Sequence, residues 1–395
     1  MRIGILTKHR SGNWGSALQS WATWKLWNDA CSGSTVELID CMTMRAFHYT
    51  NRKRISKKSR TSRELSFKRK LELCHDFLKR RCGWSERSLI SDDLCITKNF
   101  IEQGNYHVIS VGSDTVFQLG PNVTGTYISA PEAPNLFFLP FQICSKKVAF
   151  AASCNPYAGP QDLSNKAEAI RRALEDFTAI SVRDQATVDM LKDCGLNEEG
   201  IHFLPDPALL VNLNPLIRSQ PWRQQPPSAD ALISIGKASL AQSITKHLQQ
   251  RGLKTINLLS GQTREERLEL GTTINQLEDV LRLHHRARWV ITDRFHSAIM
   301  KASLSGNQCI GVEISEHYPN RNSKIRDLFR RLGLEDQLIT TERHKNDDST
   351  ASAIALQLNQ FSSQPATSLS SELSTLRSQG RKTIEQLIQS IHSSI

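Results

Sequence analysis

Within Trp289-Val290-Ile291-Thr292-Asp293-Arg294-Phe295-His296-Ser297 a carboxylate, a guanidinium and an imidazole fall inside four residues. Histidine can give or take a proton near neutral pH, and arginine is a permanent cation whose fork fits carboxylates and phosphates. The chemistry this trio suits is acid–base work on an anion. Its spacing says how it is held. Val290 and Ile291 read as a buried strand ending at Asp293, and Ser297 to Ala302 continue with helical spacing, so Arg294 and His296 fall on the turn between them. In an open α/β sheet, ligands bind outside the carboxyl ends of the strands, and the N-terminus of the following helix favours anions. The competing reading of the same stretch is an Asp–Arg pair bracing the turn and a histidine satisfied by backbone.

The same grammar recurs along the chain. Arg2 to Leu6 is a short apolar strand, followed by Ser11-Gly12-Asn13-Trp14-Gly15 and by Ala17, Leu18, Trp21, Trp24, Leu26 and Trp27 at helical spacing. The glycines leave room for a ligand to meet the backbone amides at the helix N-terminus, but there is no Gly-x-Gly-x-x-Gly and no Walker lysine. Val36 to Ile39 is a second strand ending at Asp40. Further apolar strands run into Ser113-Asp114, into Ser153 and into Arg183-Asp184, the last followed by a helix from Gln185 to Lys192. Capping the next helix accounts for Ser113, Ser153 or Asp184 taken singly; Arg183 is harder to explain as a cap. Lys237, just after a strand ending at Ile235, is a further cation to test for phosphate.

At 395 residues the chain calls for two domains with separate cores. Nine scattered cysteines, none in a Cys-x-x-Cys pair or a metal-ligand spacing, point to a reducing compartment without a disulfide framework or metal site. The first apolar run is too short for a signal peptide, and no stretch is long enough to cross a bilayer. The expectation is a cytoplasmic protein, in which Asn122-Val123-Thr124 carries no glycan. The charge of +11 is localised: Arg45 to Arg87 holds fifteen Lys/Arg against four Asp/Glu, an excess equal to that of the whole chain. Such a segment is either a solvated helical insertion or a platform for an acidic glycan, a lipid diphosphate or an anionic membrane face. It lacks any accompanying nucleic-acid-binding signature, which argues against nucleic acid.

The strand–helix alternation places an N-terminal Rossmann-like domain at 1–213 with the basic insertion at about 45–90, and a linker rich in Pro, Gln and Arg at 214–229. A second alternation at 230–345 has strands Ala231 to Ile235, Thr255 to Leu259, Trp289 to Thr292 and Cys309 to Ile314. Residues 346–395 are a polar segment and a C-terminal helix that packs back on the first domain, its turns on either side of Gly380. The fold class is α/β, with two doubly wound domains facing each other.

Six of these stretches, in order, resemble the polysaccharide pyruvyl transferase family: Asn13-Trp14-Gly15 with Leu18-Gln19, Val111-Gly112-Ser113-Asp114, Ala149-Phe150-Ala151-Ala152-Ser153, Ser181-Val182-Arg183-Asp184, Pro205-Asp206-Pro207 and Asp293-Arg294-Phe295-His296. The family pattern often has Gln and Trp where this chain has Thr115 and Phe117. Those departures bear on the acceptor rather than on the fold.

The resemblance implies a glycosyltransferase-B-like pair of domains. It also implies transfer of pyruvate from phosphoenolpyruvate to two hydroxyls of a sugar, as a ketal, without a redox cofactor or metal. On that footing Arg183 and Arg294 would hold the carboxylate and phosphate of the donor, and His296 would move the proton, with Arg183 supplied by the first domain and His296 by the second. Asn13, Gly15, Ser113, Asp114, Ser153 and Lys237 would complete the site. Partners would be phosphoenolpyruvate and a sugar of a surface polysaccharide or its lipid-linked precursor. The architecture also hosts glycosyltransferases that use nucleotide sugars, for which Glu313 or Glu316 would hold the ribose, and glycan-binding proteins without catalysis.

Overall fold

The computed structural model describes residues 1–55, 67–120, 132–218, 229–259, 274–306, 308–314, 323–342, 346–362 and 369–393. The chain divides into two compact units. One comprises Met1–Ser56, Cys74–Val211 and Leu376–Ile395; the other, Lys57–Leu73 and Asn212–Thr375.

From the N-terminus the elements are β1 (Arg2–Leu6), α1 (Trp14–Ala30), β2 (Thr35–Met42), α2 (Met44–Ile55), α3 (Phe67–Arg81), β3 (Trp84–Ile90), α4 (Leu94–Glu102), β4 (Val108–Asp114), β5 (Lys146–Ala152), α5 (Ala167–Glu175), β6 (Phe177–Val182), α6 (Gln185–Asp193), β7 (Ile201–Phe203) and α7 (Pro207–Leu210). Among the described residues the strands form a parallel seven-stranded sheet of order β3-β2-β1-β4-β5-β6-β7. A parallel strand covered on both faces reads as an unbroken apolar run, and all seven residues of β4 are accordingly buried. Two differences from the sequence reading share one cause. The segment read as helices contains the edge strand β3, and β2 runs past Asp40 because β3 pairs with it, Asp40 opposite Ser88 and Met42 opposite Ile90.

The second unit continues with α8 (Asn214–Arg218), β8 (Ala231–Ser234), α9 (Ala238–Gln249), β9 (Thr255–Asn257), α10 (Leu277–Arg286), β10 (Trp289–Thr292), α11 (Phe295–Ser305), β11 (Cys309–Ile314), α12 (Lys324–Arg331), β12 (Leu338–Thr341), α13 (Asp347–Ser362) and α14 (Ser370–Ser393). Its described strands form a parallel sheet of order β12-β11-β10-β8-β9. Ile244 and Leu248 of α9 and Ile354 and Leu358 of α13 belong to one core with Ile233 and Ile291. The expected linker opens as helix: α8 buries Leu216 and Ile217, and the Arg282 Nε donates to the Ile217 carbonyl at 3.3 Å. Residues 219–228 of that linker lie outside the described residues.

From Leu376 onward α14 belongs to the first unit. Arg377 Nε donates to the Leu209 carbonyl and Thr383 Oγ1 to that of Phe203, each at 3.0 Å. One helix passes straight through Gly380, where a sequence reading had separated turns. A Cβ there would come within 2.6 Å of the Leu210 side chain, so this glycine serves close packing rather than a break. No helix among the described residues is long and apolar enough to cross a membrane, and no disulfide links any of the nine cysteines.

Candidate functional site

In a doubly wound sheet the ligand crevice opens where successive strands step off in opposite directions, at the carboxyl ends. In the second unit that point lies between β8 and β10, which pair in register from Trp289–Ala231 to Thr292–Ser234. The residues just beyond these ends are Gly236 and Lys237 on one side and Asp293, Arg294 and His296 on the other. The sequence-selected trio therefore stands at the switch point.

Side chains fix the turn. Thr292 Oγ1 donates to the Ser234 carbonyl at 2.9 Å and accepts from the Arg294 backbone at 2.8 Å, tying both strands to the first residue of the turn. Asp293 Oδ2 accepts from the Gly236 backbone at 2.9 Å, while its Oδ1 lies 3.1 Å from Arg294 Nε. So the Asp–Arg pair does brace the turn. It does so while leaving the Arg294 side chain 56% exposed at the N-cap of α11. Gly236 makes room for it, since a Cβ there would sit 1.9 Å from Arg294 Nη2. His296, half-buried in the first turn of α11, stands edge-on to Phe295 with 5.2 Å between ring centroids, and Lys324 Nζ lies 5.7 Å from the Phe295 ring. Two cations, an imidazole and a helix N-terminus thus share one small region, the arrangement that attracts a multiply charged anion.

Lys237 is committed elsewhere: its ammonium pairs with Asp347 at 2.7 Å. Glu313, the acid considered for a ribose, is 2% exposed and bonded by Ser323 and by the Arg326 fork. Glu316 lies outside the described residues.

One further residue next to the site, His284, escaped the sequence reading. His284 on α10 is buried, with Nδ1 2.7 Å from the Val280 carbonyl and Nε2 2.6 Å from Ser297 Oγ. The carbonyl only accepts, so Nδ1 carries the hydrogen and Nε2 takes the Ser297 hydroxyl proton. This pins the first turn of α11, the turn bearing His296, to α10. Burial, helped by Lys301, pushes the His284 pKa down to about 4. The unfolded chain binds this proton below about pH 6.5 and the folded protein only below about 4, so stability should fall as pH drops through that window. Denaturant titrations should show a loss of about 2 kcal/mol between pH 7 and pH 5 from this residue. His284→Gln keeps an acceptor for Ser297 and should flatten that share; an unchanged slope would mean that His284 does not titrate there.

The first unit has its own switch point, between β1 and β4. Thr7 Oγ1 donates to the Ser113 carbonyl at 2.6 Å, and Lys8 Nζ donates to Thr115 Oγ1 at 3.2 Å and Gln118 Oε1 at 2.6 Å. Ser113 is fully buried, its hydroxyl donating to the Ala151 carbonyl at 3.1 Å. Asp114, with a φ of +96°, accepts from the Thr115 backbone at 2.6 Å. Ser153, also fully buried, accepts from the Asn155 backbone at 3.3 Å. Asp184 caps α6 by accepting from Thr187, and Asn13, exposed, caps α1 through the Gly15 backbone at 3.0 Å.

Arg183 departs from the expectation of a cation open to a ligand. Its side chain is 1% exposed, and Nη1 donates to Asp206 at 2.6 Å, to Ser113 Oγ at 3.4 Å and to Gln19 Oε1. Asp206 balances the charge; Arg183 joins α1, the end of β4 and the loop before α7. His9, Arg10 and Asp40 form another unforeseen set. His9 Nε2 lies 3.1 Å from Asp40, which Arg10 also bonds. Burial alone would raise the Asp40 pKa, but the His9 and Arg10 bonds outweigh it and hold the carboxyl well below the usual range. Among the described residues no three His, Cys, Asp or Glu side chains are placed to hold a metal ion.

Two doubly wound parallel sheets of this kind define a glycosyltransferase-B-type enzyme fold, and solved structures bear this out. The model superposes on UDP-GlcNAc 2-epimerase from Neisseria meningitidis bound to UDP-GlcNAc with a TM-score of 0.52 and 11% identity, covering 98% of this chain and 100% of that one. It superposes on a glycosyltransferase from Rickettsia africae with a TM-score of 0.52 and 10% identity, covering 99% and 98%. For Anabaena HepE in complex with UDP the values are 0.50 and 14%, with both chains covered in full. No curated protein sequence matches the chain. The family is shown by the sequence itself: the polysaccharide pyruvyl transferase model matches residues 13–313, and the chain belongs to that family.

Proposed function

We propose that this protein transfers the pyruvyl group of phosphoenolpyruvate to two hydroxyls of a sugar in a surface polysaccharide or its lipid-linked precursor. Family membership supports the transferase class. The observation that carries the choice of donor is Arg294, an exposed guanidinium aimed from the switch point beside His296 at the start of α11. A small donor bearing a carboxylate and a phosphate suits that group, the helix N-terminus and Lys324. A proton from His296 goes to the methylene carbon, making it a methyl group and leaving C2 cation-like. One sugar hydroxyl bonds to C2. The C2–O bond to phosphate then breaks, phosphate leaving with the electron pair, and the second hydroxyl closes the ketal. One hydroxyl proton restores His296 and the other departs with phosphate or solvent.

Gly236 offers a test that spares the fold. Its Cβ would clash with the far end of the flexible Arg294 side chain and come within 3.2 Å of Asp293 Oδ2, so Gly236→Ala should shift that guanidinium while the carboxylate gives by a few tenths of an ångström. Phosphoenolpyruvate at a hundred times its Kd should stabilise the wild type by about 2.7 kcal/mol. In Gly236→Ala the Kd should rise about tenfold, the loss of roughly one charge-assisted hydrogen bond. Stabilisation by a UDP-sugar instead, with no response to phosphoenolpyruvate, would favour a glycosyltransferase.

A further inference from the structure

Two of the three large apolar side chains that are exposed among the described residues lie at one corner of the first unit. Met44, the first residue of α2, is 36% exposed, and Ile96, in the first turn of α4, is 51% exposed. These helices start where the adjacent parallel strands β2 and β3 end. Neighbouring acids hold the two starts together: Asp92 accepts from the Met44 backbone at 3.0 Å, and Asp93 caps α4 by accepting from Cys95 at 2.7 Å and Ile96 at 3.0 Å. The same α2 carries Arg45, Arg52, Lys53 and Arg54 and no acidic residue. It lies in the stretch that supplies the entire charge excess of the chain.

We propose that this corner is a docking surface for an anionic lipid bilayer. Cations alone would suit any polyanion. Exposed apolar side chains at the starts of α2 and α4 gain nothing from a soluble polyanion but are stabilised at a headgroup–acyl boundary, where basic residues meet the negative surface potential. The corner stands at the carboxyl edge of its sheet, the edge that also carries the β1/β4 switch point. A bilayer seated there would bring a lipid-linked sugar to that edge rather than leave the protein to find it by diffusion. The inference does not depend on the donor, and its test needs no turnover.

Full-length protein carrying Cys144→Ser and an NBD fluorophore on the exposed Cys95 would be mixed with vesicles of phosphatidylcholine alone or with phosphatidylglycerol added. Sedimentation with the anionic vesicles only, weakening as salt rises, and a blue shift of the fluorophore are expected. Each basic residue at a membrane surface contributes about a factor of five, so Arg52→Gln/Lys53→Gln/Arg54→Gln should lower partitioning on the order of a hundredfold. Met44→Ser/Ile96→Ser should lower it about tenfold and abolish the blue shift. Equal binding to neutral vesicles, no effect of the triple variant, or sedimentation with the fluorophore still reporting water would each overturn the proposal. Loss of binding with phosphate release intact would leave the proposed reaction standing.

Discussion

Replacing Arg183 with methionine should destabilise the protein by about 3–5 kcal/mol, the cost of leaving a buried carboxylate without its cation. Asp206 is 2% exposed and Arg183 4%, so neither charge has water to fall back on. A second substitution, Asp206→Leu, should recover most of the loss, because exchanging both partners of a buried ion pair for apolar groups is often close to neutral. Arg183→Lys keeps a charge opposite Asp206 but gives up the planar, preorganised guanidinium, and should fall between these limits. Denaturant midpoints of the four proteins form the test. A loss below 1 kcal/mol in Arg183→Met would mean that the pair is not the tie it appears in the geometry. The series also guards the kinetics, since reduced activity in any Arg183 variant has to be read against its stability.

His296 and Arg294 should fail in different ways. His296→Asn removes the proton carrier but leaves the cations, so kcat should fall by about 10² to 10⁴ with phosphoenolpyruvate affinity little changed. Arg294→Ala removes the exposed guanidinium and should weaken donor binding while stability holds, because that side chain is more than half exposed. Surface substitutions of this kind stay within about 0.5 kcal/mol. Binding isotherms beside single-turnover rates separate the two effects. Equal loss of affinity in both variants would assign His296 to binding rather than to proton transfer.

Much of this was legible in the residues. The β10–α11 turn was placed by an apolar strand running directly into helical spacing, both local signals. The limits were set by partners distant in sequence. Arg183 meets Asp206, which is 23 residues away, and the Ser113 hydroxyl, which is 70 away, so nothing beside it announced a buried pair. His284 and Ser297 lie on different helices and join only when α10 packs on α11. The strand β3 hid in a run of charge because an edge strand needs little burial: Glu86, Arg87 and Ser88 are all exposed. Gly380 looked like a break because sequence does not reveal that the Leu210 side chain packs against it.

The central claim is the donor and what becomes of it. Purified protein would be given phosphoenolpyruvate with a panel of oligosaccharide and lipid-linked acceptors, and in parallel UDP-sugars with the same panel, while released phosphate, released UDP and acceptor mass are followed together. The result expected is one phosphate released for each acceptor that gains a pyruvate ketal, with His296→Asn slow under the same conditions. Transfer of sugar with UDP release, and no phosphate from phosphoenolpyruvate with any acceptor, would contradict it.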